Sequence, residues 1–145
     1  MARIVVSREM AVNTAQAWAS LSDLASHSSW MKDAASIAFT SELRSGVGTV
    51  MEVETRVGPF RTNDVMEVTG WKEGEAIEVS HRGLVRGTGV LSVTPTDRGA
   101  RIDWVEDLTF PWWLGGPITA YAARPVLTRI WRGNLARFEA AVGAH

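Results

Sequence analysis

Cysteine is absent from the 145 residues, which excludes a disulfide framework, thiolate catalysis and cysteine metal sites. Excess charge is also lacking. Fifteen Lys and Arg against sixteen Asp and Glu leave a formal net charge of -1, so composition gives no reason to expect nucleic acid or an anionic lipid surface as partner. No apolar run approaches the roughly 20 residues that span a bilayer. The opening MARIVVSREMAV lacks the apolar stretch of a secretory signal, and a cytoplasmic location is expected. Three histidines without a His-Glu-x-x-His or similar spacing argue against a metal site. GVGT and GTG lack the following helix of a nucleotide-binding turn, and no serine sits in a nucleophile elbow, so no cofactor is expected. Tyrosine occurs once, yet tryptophan occurs seven times. That imbalance points to a large aromatic-lined interior or an apolar ligand.

Hydrophobic periodicity divides the chain into elements. Arg3 to Arg8 reads as a strand, and Asn13 or Thr14 is the expected N-cap of TAQAWASLSDL, where Ala17, Trp18, Leu21 and Leu24 recur at helical spacing. SDLASHSSWM reads as a second short helix or a turn that carries Trp30 toward the core. From residue 35 the period becomes two. SIAF, TVMEVETRV, PFRTNDVMEVTGW, EAIEVSH, GTGVLSVTP and ARIDWVEDLTF are strand-length runs bounded by turn residues, and TDRG supplies a tight hairpin between the last two. From about Pro117 to Val142 the pattern is helical again. Leu127, Trp131, Leu135, Phe138 and Val142 form one apolar stripe, with Arg129 and Arg132 on the opposite side. Pro125 falls inside that helix and predicts a kink or a break. No linker or repeat interrupts residues 1–145, which read as one domain.

This order predicts an α+β fold: a curved antiparallel sheet of about seven strands wrapped around a long C-terminal α-helix, with two short helices after strand 1. The chain resembles the SRPBCC superfamily, which has the helix-grip fold and includes START and Bet v 1-like proteins. The resemblance is carried by AQAWASLSDL followed by Trp30, the turn SGVGT, the paired strands GVLSVTPTDRGARIDW and the terminal NLARFEAAV. GGPITAYAARPVLTRIWRGNL is most similar to the polyketide cyclase/dehydrase-like branch. That branch holds ligand carriers, cyclases and dehydratases. The resemblance therefore implies a cavity between sheet and helix for a hydrophobic small molecule such as a lipid, isoprenoid or aromatic polyketide, without implying a given reaction.

Strand alternation then selects candidates. Leu91 and Val93 facing the cavity place Ile102, Trp104, Glu106, Leu108 and Phe110 on the matching inward face. Glu106 is the misfit, because a desolvated carboxylate needs a partner or a proton. It is the first candidate for a general acid or base, or for an anchor to a ligand's polar end. A bulge that turns Glu106 outward, or a solvated strand end, stays open as the alternative. His81 shares a face with Ile77 and Val79 and is the one histidine with an argument for the interior; a wet strand end is its alternative. His27 in its Ser-rich turn and His145 at the terminus are not catalytic candidates. Arg124 falls beside the helix stripe and is the candidate to meet a carboxylate or enolate oxygen, unless it snorkels to water. The orientation of Asp64 stays open, since either Asp64 or Asn63 could share the inward face of its strand. The expected cavity lining is Trp30, Met51, Val53, Val79, Leu91, Trp104, Leu108, Phe110, Trp112, Trp113, Tyr121, Leu127, Trp131 and Asn134.

Three functions compete: a binding module for a hydrophobic molecule, which needs only an apolar pocket with a few polar contacts; a cyclase or dehydratase, in which Glu106 or His81 moves a proton while Arg124 or Tyr121 stabilises an enolate; and an interaction protein with a filled core. Binding ranks first, and a homodimer is left open. TFPWWLGGP, at residues 109–117, joins the last strand to the long helix. It reads as a structural corner or a gate, with Trp112 or Trp113 as plug, rather than a membrane anchor, because it lacks flanking basic residues.

Overall fold

The computed structural model describes residues 2–143; His145 lies outside the described residues. The chain opens with β1 (Ala2–Met10), in which Ala2, Ile4 and Val6 turn inward. The helix α1 (Thr14–Leu21) follows, and the capping box that starts it uses Asn13. The Asn13 side chain accepts from the Gln16 N–H at 2.8 Å, and Gln16 accepts from the Asn13 N–H at 3.1 Å. A 3-10 turn over Leu24–Ser26 leads into α2 (His27–Trp30), which buries Trp30 as the sequence predicts.

Six strands then run as a meander: β2 (Ala34–Phe39), β3 (Val50–Val57), β4 (Phe60–Lys72), β5 (Ala76–Arg82), β6 (Arg86–Thr96) and β7 (Gly99–Thr109). The sheet order is β1-β7-β6-β5-β4-β3-β2, with every neighbouring pair antiparallel. The α+β helix-grip arrangement expected from the sequence is therefore the one observed. TDRG closes the β6–β7 hairpin with Thr96 opposite Gly99.

After β7 a 3-10 turn at Trp112–Leu114 ends on Gly115 in the left-handed region, and α3 (Gly116–Gly143) begins, with Pro117 in its first turn. The break expected at Pro125 does not occur: α3 runs through it. Pro125 lies on the exposed face of the helix, away from the packed stripe.

The helix α3 packs mainly against β1 and β7, to one side of the sheet. Its C-terminal half fills the space beneath it. Trp131 stacks on Trp104 with ring centroids 4.8 Å apart, while Trp30 meets Phe138 edge-on at 5.1 Å and Trp104 at 6.2 Å. Asp33 ties the helix down at this point. One of its oxygens accepts from Trp131 Nε1 at 3.0 Å and the other from Asn134 Nδ2 at 2.7 Å. Asn134 Oδ1 accepts from the Lys32 N–H at 3.1 Å and also from Arg137. Asn134 is thus a buried joint between α3 and the segment before β2, held by three hydrogen bonds rather than standing free at a cavity wall.

Candidate functional site

The register places a polar group on the concave, largely apolar face. Across the sheet, Met51, Met66, His81, Gly87 and Leu108 pair in sequence along one row, and Val68, Val79, Gly89 and Glu106 along the next. His81 on β5 and Glu106 on β7 are separated by β6, a gap of roughly 10 Å between backbones. Their side chains nevertheless meet: His81 Nε2 donates to Glu106 Oε2 at 2.7 Å. Trp104 Nε1 donates to Glu106 Oε1 at 2.9 Å, so both carboxylate oxygens are engaged.

Glycine makes this crossing feasible. A Cβ on Gly89 would stand 2.4 Å from Glu106 Oε1 and 2.8 Å from Oε2; the carboxylate lies where a side chain of β6 would otherwise be. Asp64 is cradled in the same way. A Cβ on Gly83, just after β5, would stand 2.0 Å from Asp64 Oδ1. Asp64 Oδ2 accepts from Thr62 Oγ1 at 3.0 Å, whereas Oδ1 is buried and has no hydrogen-bond partner among the described residues.

Electrostatics couple the three groups. Burial pushes the His81 imidazole toward neutrality, but the Glu106 hydrogen bond, the Glu106 charge and the Asp64 charge together outweigh it and raise the pKa above 6.5. His81 is therefore biased toward imidazolium, with Nε2 committed to Glu106. Its Nδ1 has no protein partner among the described residues.

The structure answers the open questions about orientation. Glu106 faces inward and is 4% exposed, with no outward bulge, and Asp64 shares the inward face through its pairing with Val53. Trp30, Met51, Val53, Leu91, Trp104, Leu108 and Trp131 are buried in the interior, and Val79, Phe110 and Leu127 are half-buried against it. Met66 and His81 are half-buried as well, so the partly accessible residues near the pair are Met66, Val79 and His81 on the sheet, Phe110 just after β7 and Leu127 on α3.

Four expected neighbours stand elsewhere. Arg124 and Tyr121 are exposed on the outer face of α3, so neither converges with His81 and Glu106. Trp112 and Trp113 are 85% and 61% exposed; they plug nothing. The physical reason is helix phase: Ala120, Leu127 and Trp131 take the inward side, which turns Tyr121 outward and leaves Arg124 at the exposed flank.

His27 also corrects the sequence reading, for it is buried. Its Nε2 donates to the Leu21 carbonyl at 2.7 Å, and burial lowers its pKa against the opposing effects of that bond and of Asp23. It holds α2 against α1 as a neutral ring. The glycines at 83 and 89 are the signal that strand alternation alone overlooks, since glycine inside or beside a strand marks a close approach.

The family model described as polyketide cyclase / dehydrase and lipid transport matches residues 1–143. The chain belongs to this family. Solved structures similar to this polyketide cyclase/dehydrase-family chain include TTHA0849 from Thermus thermophilus, with a TM-score of 0.77 and 15% identity over 98% of this chain and 97% of that one. Ara h 8.0201 aligns with a TM-score of 0.71 and 12% identity over 99% and 98% of the two chains. The di-domain ARO/CYC protein StfQ from the steffimycin biosynthetic pathway aligns with a TM-score of 0.73 and 17% identity over 95% of this chain and 49% of its own. At these identities the likeness establishes the fold that this family member shares with them. No curated protein matches its sequence. Among the described residues no helix is long and apolar enough to cross a membrane, and no group of acidic and histidine side chains could hold a metal ion.

Proposed function

We propose that the protein binds an apolar small molecule in the cleft between the concave sheet face and α3, with its polar end against His81 and Asp64. The observation that carries this reading is the buried His81–Glu106 pair at 2.7 Å, set in an otherwise apolar wall. A buried ionic group is poor evidence for stability, because apolar residues of similar volume commonly do as well. Its placement beside half-buried Met66, Val79 and Phe110 suits recognition, where a few fixed polar groups orient an apolar ligand. The family's description, which includes lipid transport, agrees with that role.

The remaining hydrogen-bonding capacity narrows the ligand. Glu106 is spent on Trp104 and His81, whereas His81 Nδ1–H is left to donate and Asp64 Oδ1 is left to accept. A carbonyl paired with a hydroxyl complements that donor and acceptor. Two carboxylates against one imidazolium disfavour a ligand carboxylate.

Native mass spectrometry of protein purified without detergent, followed by titration with the fluorescent apolar probe 1-anilinonaphthalene-8-sulfonate, tests the reading. A retained apolar molecule, or saturable probe binding weakened by His81→Ala, is expected. Probe binding that is absent, or indifferent to His81→Ala and Glu106→Gln alike, overturns it.

One observation favours a second reading, in which the site transfers protons. His81 and Glu106 converge as a histidine held by a carboxylate, the arrangement of an acid-base dyad. With its pKa raised, His81 is suited to donate a proton to a carbonyl oxygen, with Asp64 the free carboxylate to accept one. The enolate stabilisation expected of Arg124 and Tyr121 has no counterpart, since both face away. Solvent deuterium exchange into the α-position of an aromatic β-diketone distinguishes the two: an enzyme accelerates it and loses the effect with His81→Ala, while a carrier leaves it at the background rate.

A further inference from the structure

One end of the sheet carries much of the molecule's exposed apolar surface. Trp112, Trp113, Ile118 and Tyr121 are 85%, 61%, 79% and 80% exposed, and all four sit on the 3-10 turn after β7 or on the first two turns of α3. Arg86 pairs with Thr109 at the end of β7, which brings the β5–β6 loop and its exposed Leu84 beside the same turn. The β3–β4 hairpin, with Phe60 73% exposed at its tip, projects from this end as well. A concentration of large exposed apolar side chains in one region, four of them aromatic, marks a surface with a partner.

The charge on this region identifies the partner's chemistry. Between Asp107 and Glu139 the chain has no acidic residue and four arginines. Arg137 is used internally, but Arg124, Arg129 and Arg132 form no ion pair among the described residues. Together with Tyr121, Pro125 and Thr128 they line a shallow groove of about 620 Å³ along the outer face of α3. A second copy of this chain would bring the same positive charge and is disfavoured. An anionic partner is required.

We propose that this face docks reversibly on an anionic lipid bilayer, with the indoles of Trp112 and Trp113 in the headgroup layer and the three arginines against lipid phosphates and carboxylates. Tryptophan and tyrosine are the side chains that favour the membrane interface, and basic residues beside an apolar, aromatic surface supply the electrostatic half of such binding. TFPWWLGGP has no basic neighbours within the segment. The fold provides them from the following turns of α3 and from Arg86 at the start of β6. The proposal holds whether or not the cleft takes the ligand inferred above.

Flotation of the full chain with phosphatidylcholine vesicles, with and without phosphatidylserine, is the test. Binding is expected only with phosphatidylserine and should weaken as salt is raised. Brominated phosphatidylcholine in those vesicles should quench the parent's tryptophan fluorescence. The quenching should be lost in Trp112→Ala/Trp113→Ala, since the other tryptophans are shielded. Arg124→Gln/Arg129→Gln/Arg132→Gln should weaken binding about a hundredfold, at about fivefold for each arginine. Both variants alter exposed side chains and should keep the parent's circular dichroism and cleft-probe binding, which separates failure here from failure of the ligand reading. Equal binding to both vesicle types, no binding to either, or binding unchanged in the variants overturns the proposal. So does Trp112-dependent binding to soluble poly-glutamate without binding to vesicles, which would assign the face to an acidic protein.

Discussion

Glu106 occupies a position that the apolar pattern of β7 reserves for a hydrophobic side chain, and it is tolerated because Gly89 leaves room and because His81 and Trp104 use both of its oxygens. Gly89→Ala tests the first condition. The new Cβ would stand 2.4 Å from Oε1, so the carboxylate must shift and the pair with His81 must open. A loss of about 1–3 kcal/mol in urea unfolding is expected, the usual cost of overpacking, together with a fall in the His81 pKa measured by NMR. Stability unchanged and the His81 titration unmoved would show that the carboxylate does not need this gap. Glu106→Gln tests the second condition through pH. His81 has its folded pKa raised above 6.5, so its pairing adds stability that is complete below that value and is lost as pH rises through the folded pKa. His27 has its folded pKa lowered, so it has the opposite effect: stability falls as pH drops below 6.5 toward the folded pKa. In the parent the two histidines oppose each other. Glu106→Gln removes the His81 contribution and exposes that of His27, and the variant should lose stability more steeply than the parent between pH 7 and pH 5, as about pH 6.5 separates the two ordinary protonation states. Parallel stability curves for the two proteins would refute this account.

At the scale of elements, α3 carries an internal proline that sequence logic treats as a breaker. Pro125 faces solvent, so the backbone groups it leaves unpaired can be met by water while the buried stripe from Trp131 to Val142 holds the helix in place. Pro125→Ala restores an amide donor and removes a ring clash. It should raise stability by about 2 kcal/mol, the helix penalty of proline less the chain entropy that proline saves in the unfolded state. A lower melting temperature for the variant would mean that the proline shapes the helix in a way the packing requires. The elements themselves were legible because each has a period: two in the strands and between three and four in α3, with Asn13 marking the start of α1. Glu106 and His81 were legible as inward misfits by the same alternation. Their meeting was not, because it depends on register across three strands and on glycines whose importance is an absence of atoms. Arg124, Tyr121, Trp112 and Trp113 were misplaced for a related reason. The phase of α3 about its own axis is fixed by which residues reach β1 and β7, and a chain that enters its helix through Gly115 and Gly116 does not announce that phase.

Across the whole molecule, α3 divides the concave face into two regions of different character. Over β1 and β7 its C-terminal half closes on the stacked, buried indoles of Trp104 and Trp131. Over β5 and β6 the sheet presents Gly87 and Gly89, which have no side chain of their own beside the His81–Glu106 pair. Glycines at these positions leave room for the cleft proposed above in an interior that is otherwise close-packed. Val79 is half-buried in this cleft, paired with Gly89 and adjacent to the His81–Glu106 group. Val79→Phe should therefore fill it. Because Val79 is half-buried and faces glycine across the strands, the melting temperature should stay near the parent's, while probe binding falls about tenfold or more, as a ligand displaced by a bulky side chain does. A ligand that binds the folded parent should also raise its melting temperature by mass action, and that rise should vanish in Val79→Phe. Undiminished probe binding in the variant, combined with its loss in Trp112→Ala/Trp113→Ala, would place the apolar site on the outer face, and would show that the cleft between sheet and helix is only a gap in packing.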